Sequence, residues 1–262
     1  MAFNTAYDLS ALMVPTKAAA VYAAQENSLF MNGFIIPNIV VPAGSFSAQV
    51  PVFAKTSAQV LTQAAHAVDD ITSTKVLATA NTITLDLFAA RDTLRDLGGV
   101  NPTELGRVLG NAVAQKFDEA VVTELLTATV TQATDATINP LWDAAATIRQ
   151  AGEMGPLMAI VSPAYAALLM KAIGGAAFAG GDYQTEALRN GFVTKVAGIS
   201  VFQSAHMTAL GVVFGADAMR TASQGGLDME MQRRAEAVGT DIVASYAGAA
   251  GLIDDSRIVE LV

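Results

Sequence analysis

Two segments near the start of this 262-residue chain alternate apolar and polar residues as half-buried strands do. The distance between them limits what the chain can fold into. In 45–53, Phe46, Ala48, Val50 and Val52 oppose Ser45, Ser47, Gln49 and Pro51; in 82–89, Ile83, Leu85 and Leu87 oppose Thr82, Thr84 and Asp86. The matching patterns predict an antiparallel pair. Their connection, Ala54 to Asn81, is far longer than the roughly two to five residues of a hairpin loop and is rich in Ala, Thr, Ser and Gln. It is either a long arm projected from the body or a partly helical excursion packed on its own domain, and the pattern alone favours neither.

Soon after the second strand, Asn101-Pro102-Thr103-Glu104 is a strong helix start. Asn can cap, Pro suits the first helical position and Glu stands where a capping box needs it. Leu105, Val108, Leu109, Ala112, Phe117, Ala120, Val121 and Leu125 follow at helical spacing. A helix reaching Ala128 would be roughly 40 Å long, the longest element of the chain.

The same proline-led start recurs at Asn139-Pro140 and Ser162-Pro163, with Gly152 and Gly174 placed to end those helices. Short apolar runs at 157–161, 192–203 and 211–214 alternate with them, which describes a compact α/β unit. Gly174 to Gly181 reads as a surface loop and has neither the spacing nor the Lys-Ser or Lys-Thr of a phosphate loop. From Gly226, Leu227, Met229 and Met231 oppose Asp228, Glu230 and Gln232; 240–246 and 257–262 also read as extended. The opening stretch, 15–30, is an alanine-rich helical pattern with little core of its own, expected to lie along another element or another subunit.

Composition points to covered surface. Hydrophobic residues make up 52% and charged residues only 15%, against roughly a quarter charged in a typical soluble domain. Extensive subunit contacts are the economical reading. A net charge of -9 argues against affinity gained by neutralising phosphates. The absence of cysteine excludes disulfides, thiolate catalysis and cysteine-ligated metals. The apolar stretch 157–181 is long enough to span a bilayer, but Pro163, Lys171 and its glycines divide it. No signal peptide is recognised at the start, and the chain reads as cytoplasmic at synthesis.

Candidate chemistry is sparse. The two histidines, His66 and His206, lie in different segments without ligand spacing. Asp69-Asp70 and Asp254-Asp255 are read as solvated acids whose neighbours point to opposite faces. Arg233-Arg234 is a small basic patch, a pair of intersubunit salt-bridge donors, or a pair engaged in local charge pairing with Glu230 and Glu236. Trp142 is expected as a core anchor. No catalytic, cofactor-binding or metal residue is assigned, and no cofactor is expected. An α/β enzyme built on 139–219 stays open as a minor alternative, because active sites can be assembled from distant residues.

The order of parts resembles the tailed-bacteriophage major capsid fold named for phage HK97, especially the short podovirus-like form. The residues that carry the likeness most specifically are 191–204, GFVTKVAGISVFQS, similar to a hairpin of that family, and the run from Gly226 through Leu252-Ile253-Asp254 to Val259. The resemblance implies an α+β, HK97-like fold in five parts: an N-terminal arm at 1–43, an extended E-loop with flanking strands at 44–90, and a peripheral P-domain with the spine helix at 91–138. A compact α/β A-domain at 139–222 and P-domain terminal strands at 223–262 complete it. It further implies pentamers and hexamers closing into an icosahedral shell around double-stranded DNA, bound without sequence specificity, and a virion location after assembly in host cytoplasm. A separate scaffolding protein, a portal, decoration or cement proteins, and no membrane are the expected partners. Some relatives crosslink Lys to Asn; Lys55 and Lys75 bracket the arm, but nothing in the sequence supports that reaction here. An encapsulin-type cellular shell is the alternative with the same fold.

Overall fold

The computed structural model describes residues 6–53, 78–95, 101–133, 139–177, 192–196, 198–234, 236 and 239–262. Helix α1 (Ala6–Asn27) precedes three strands, β1 (Asn38–Val40), β2 (Ser47–Phe53) and β3 (Ala78–Thr84), and the long strand β4 (Asp86–Arg95). Helix α2 (Pro102–Leu125) and β5 (Thr131–Gln132) follow. Next come α3 (Asn139–Gln150), β6 (Leu157–Val161), α4 (Pro163–Ala177), β7 (Phe192–Val196), β8 (Ile199–Gln203) and β9 (Gly211–Gly215). The chain closes with β10 (Met219–Arg234), β11 (Gly239–Leu252), a 3-10 turn at Asp255–Arg257 and β12 (Ile258–Leu261).

The strands of the described residues form three sheets: β1-β10-β11-β4, β5-β12-β9-β6-β8-β7, and the separate pair β2-β3. The expected antiparallel pair is present, with Ser47 opposite Thr84 and Phe53 opposite Ala78. The connection at 54–77, with His66, Asp69, Asp70, Lys55 and Lys75, lies outside the described residues. The single strand expected at 82–89 is instead two strands meeting at Leu85. Ile83 and Leu85 face the β2–β3 side, whereas from β4 onward Phe88 and Ala90 turn inward and Leu87 turns out. A change of partner from β2 to β11 at Leu85 accounts for the shift in phase.

Helix α2 begins as its sequence requires. Asn101 is extended (φ -71°, ψ 117°) and its side chain accepts a hydrogen bond from Thr103 N–H at 3.1 Å, while Glu104 pairs with Arg107 at 3.6 Å. Its 24 residues span about 36 Å. The buried stripe is Leu105, Leu109, Val113, Ala114, Phe117, Val121, Val122 and Leu125. Val108 lies outside it, because α1 packs along the flank marked by Gly106 and Gly110. A Cβ at Gly106 would sit 2.3 Å from the Thr16 carbonyl oxygen, and one at Gly110 would sit 2.2 Å from that of Ala20. The two backbones touch there, which only glycine permits. Helix α1 begins well before the pattern at 15–30 and carries Pro15 within it.

One continuous core joins α1, α2, the inner face of the four-stranded sheet and one face of the six-stranded sheet. Phe117 is edge-on to both Phe88 and Tyr246, with centroids 5.7 Å and 5.2 Å away. The other face of the six-stranded sheet packs against α3 and α4, where Leu141, Ile148, Tyr165 and Leu169 meet Ala159, Val161, Val201 and Val213. The hairpin expected within 191–204 is present as β7 and β8, antiparallel across Gly198 (φ 84°). Helix α4 does not stop at Gly174 but runs to Ala177; the second half of the glycine-rich stretch is outside the described residues. Strand β12 sits in the six-stranded sheet between β5 and β9, not beside β10 and β11.

Candidate functional site

Three segments far apart in sequence meet around a cleft that holds the buried carboxylate of Asp118 in α2. The turn after α1 closes over it: Ser28 Oγ donates to Asp118 Oδ1 at 2.7 Å and Leu29 N–H donates to Oδ2 at 2.8 Å. The same hydroxyl accepts from Met31 N–H at 3.0 Å and Phe30 N–H at 3.3 Å, so one serine and one aspartate satisfy three backbone amides. Asn27 ties α1 to α2 a turn away, donating to Asn111 Oδ1 at 2.7 Å. The third segment is the turn after β8, where His206 N–H reaches Ser204 Oγ at 3.3 Å.

Between them lies a cleft of about 370 Å³ lined by Glu26, Ser28, Gln115, Asp118, Gln203 and His206 among others. Burial pushes the Asp118 carboxyl above its ordinary range, against the hydrogen bonds from Leu29, Ser28 and Phe30 and the nearby His206, which pull it down. Burial likewise raises the Tyr246 phenol in the adjoining core. Both Asp118 oxygens are occupied by donors from the chain itself, so the arrangement holds segments together. Among the described residues, no group of three His, Cys, Asp or Glu side chains could hold a metal ion. None of the described helices is long and apolar enough to cross a membrane.

His206 has no ligand partner at sequence spacing; the fold brings it into the cleft that Asp118 also lines. The other candidates fall elsewhere. Asp254 caps a 3-10 turn that Asp255 opens, and the two serve different ends. Asp254 accepts from Ser256 and pairs with Arg257 at 2.8 Å, while Asp255 accepts from Thr129 N–H at 3.0 Å and from the Thr129 hydroxyl. Arg257 also reaches the buried Glu153 at 2.8 Å, which fastens the start of β12 to the segment before β6. Arg234 pairs at 3.7 Å with Asp241 on the adjacent strand, a local partner other than the two glutamates expected. Trp142 is not a core anchor: it is 55% exposed on the outer side of α3.

Asp118 was missed, although the sequence held a signal for it. It stands in phase with Ala114, Val121, Val122 and Leu125, a charge on the buried stripe of an otherwise apolar helix face.

Large apolar side chains are exposed at several places among the described residues, Leu87 and Phe46 among them. Phe88 packs inward on Phe117, so Leu87 points to the opposite face of the four-stranded sheet, where it is 72% exposed. Ala222 and Ala249 on that face are covered by β2 and β3. Farther along, Leu87, Arg91 and Glu230 are exposed, and Phe46, 77% exposed, stands beside Leu85 at the margin. Among the described residues this part of the sheet face is left open, next to the strand pair β2–β3.

A family model described as phage capsid protein matches residues 103–260, from the first turn of α2 to the last strand. The chain belongs to the phage capsid protein family. Solved structures share the fold of this capsid protein. The cyanophage P-SCSP1u capsid is 18% identical with a TM-score of 0.62, covering 87% of this chain and 86% of that one. Mycobacterium phage Che8 is 14% identical with a TM-score of 0.64, covering 83% and 84%. A virus-like particle from Pyrococcus furiosus is 11% identical with a TM-score of 0.68, covering 95% and 99%. No curated protein sequence matches the chain. The HK97-like α+β fold implied by the order of parts is therefore the fold of this phage capsid protein, a virion component whose copies assemble into a shell.

Proposed function

We propose that this capsid protein forms pentamers and hexamers that close into an icosahedral shell around phage double-stranded DNA, held without sequence-specific contacts. In this reading 1–43 is the N-terminal arm, 44–90 the E-loop with its flanks, 91–138 and 223–262 the P-domain, and 139–222 the A-domain. The E-loop of one copy lies over the next. A separate scaffolding protein and a portal direct assembly in the host cytoplasm, decoration or cement proteins are possible additions, and the chain itself acts as a structural protein without catalysis.

The observation that carries this reading is the open face of the four-stranded sheet, with Leu87 and Phe46 exposed, in a chain whose family builds shells. A sheet face left open, with a large apolar side chain exposed on it and another at its margin, is the kind of surface that contact between copies covers. The net charge of -9 is compatible with a wall that does not adhere to the DNA it encloses. An encapsulin-type shell would use the same fold, but the match to phage capsid proteins favours the virion.

Deletion of 56–79 tests the role given to the long connection. The expected product is a soluble, folded body that no longer forms shells. Normal particles from the deleted chain would remove the E-loop from the assembly scheme.

A further inference from the structure

We propose that the free edge of β4 is a docking site for an extended segment of a second copy, which joins the four-stranded sheet as a fifth strand. This inference rests on the shell reading above and says how one copy grips the next.

The phase of the sheet leaves that edge unpaired. Thr221 N–H donates to Pro37 O and Val41 N–H to Ser223 O, so Thr221 and Ser223 turn their backbone groups toward β1, and Ala222 between them turns toward β11. Carried through the pairs Ala222 with Ala249 and Tyr246 with Phe88, the alternation aims Phe88 and Ala90 at β11 and Leu87, Ala89 and Arg91 away from it. Bonds at both ends of β4 agree. Leu85 N–H donates away from β11, to Phe46 O at 2.9 Å, and Thr93 N–H donates to the Asp92 side chain at 2.7 Å. Between them, the N–H and C=O groups of Leu87, Ala89 and Arg91 have no partner among the described residues.

Other strand edges among the described residues carry devices that discourage pairing. Strand β1 is three residues long and lies between Pro37 and Pro42, and β5 is two residues long. Strand β2 carries Pro51, which has no N–H to offer, and β3 lies beside the end of β11, where Asn81 bonds the carbonyls of Leu252 and Ile253. Strand β7 has Lys195 and an irregular register between Phe192 and Thr194. Beyond β1, β10 is bulged between Gln224 and Asp228 and meets α1 through Lys17. Strand β4 differs from all of these: it runs ten residues in unbroken register without proline.

Both faces of this edge are also unfinished. Leu87 is exposed on the outer face, while Phe88 and Ala90 on the inner face are only partly buried against the core. One added strand would satisfy the backbone groups and cover apolar side chains on both faces. The edge is continuous with the open face assigned above to contact between copies, which makes a second copy its occupant.

Amide hydrogen exchange of the purified chain, unassembled and in particles made from it alone, reads the edge directly. Leu87, Ala89 and Arg91 should exchange freely in the unassembled chain and be slowed at least about tenfold in particles, whereas Phe88 and Ala90 are protected in both. Ala89→Pro removes one outward N–H without touching a bond to β11. It should fold, with an unfolding midpoint close to that of the wild type, and lose most of its shell yield, while Ala89→Ser assembles normally. If the proline variant does not fold, the exchange comparison on the wild type decides. Particles in which the three amides still exchange freely, or an unassembled chain in which they are already protected, would overturn the proposal and leave the shell reading standing. Absence of any particles would overturn both.

Discussion

The two large sheets of this capsid protein are finished to different degrees. In the six-stranded sheet both faces are covered within the chain: Val213, Val201 and Ala159 face α3 and α4, while Val212, Phe214 and Ile160 face the core shared with α2. Every residue of β9 is buried. The four-stranded sheet has the same kind of inner face, built on Phe88, Tyr246, Met229 and Ala244, but its outer face is covered by β2 and β3 over only part of its length. A sheet sealed on both sides is fixed by its own sequence. One left open presents a rigid surface to another molecule, and in a family that builds shells the available molecule is another copy.

That contrast can be broken most severely in the sealed sheet. Phe214→Ala should destabilise the chain by about 3–5 kcal/mol, because the ring is wholly buried between sheet and helix and its loss leaves a cavity. Urea unfolding of the unassembled protein measures it, and a loss below about 1 kcal/mol would mean the face collapses more readily than its packing suggests. Gly110→Ala comes next. A methyl placed 2.2 Å from the Ala20 carbonyl oxygen must push α1 off α2, at a cost of about 1–3 kcal/mol. The sign is informative, since Ala in an unobstructed helix would stabilise by up to about 1 kcal/mol.

The smallest stability effect belongs to the open face. Leu87→Ser and Phe46→Ser should each change unfolding free energy by no more than about 0.5 kcal/mol, as exposed positions do. The same variants should reduce shell yield in sedimentation of assembly mixtures. Unchanged assembly would mean that this face is not a contact between copies.

Much of the architecture was legible in the sequence because local chemistry specified it. Asn101-Pro102 starts α2, alternation from Gly226 places Leu227 and Met229 inward, and the residues of β7 and β8 pair as a hairpin. Failures came where partners decide the outcome. Alternation through Leu85 looked continuous, yet the chain changes partner there and reverses its faces. Val108 and Trp142 are apolar at helical spacing but lie on the outer sides of their helices, because periodicity gives the spacing of a stripe and not the neighbour that covers it. Asp118 itself left a signal in the buried stripe of α2, but its partners did not. Its donors are 89 and 90 positions away in the chain, and no local pattern connects them.

Electron microscopy of the purified full-length chain under assembly conditions tests most directly whether it builds a shell. Closed icosahedral particles of uniform size, with the outer face of β4 and β11 buried between copies, are the expected result. A stable, monodisperse monomer under every assembly condition would contradict it.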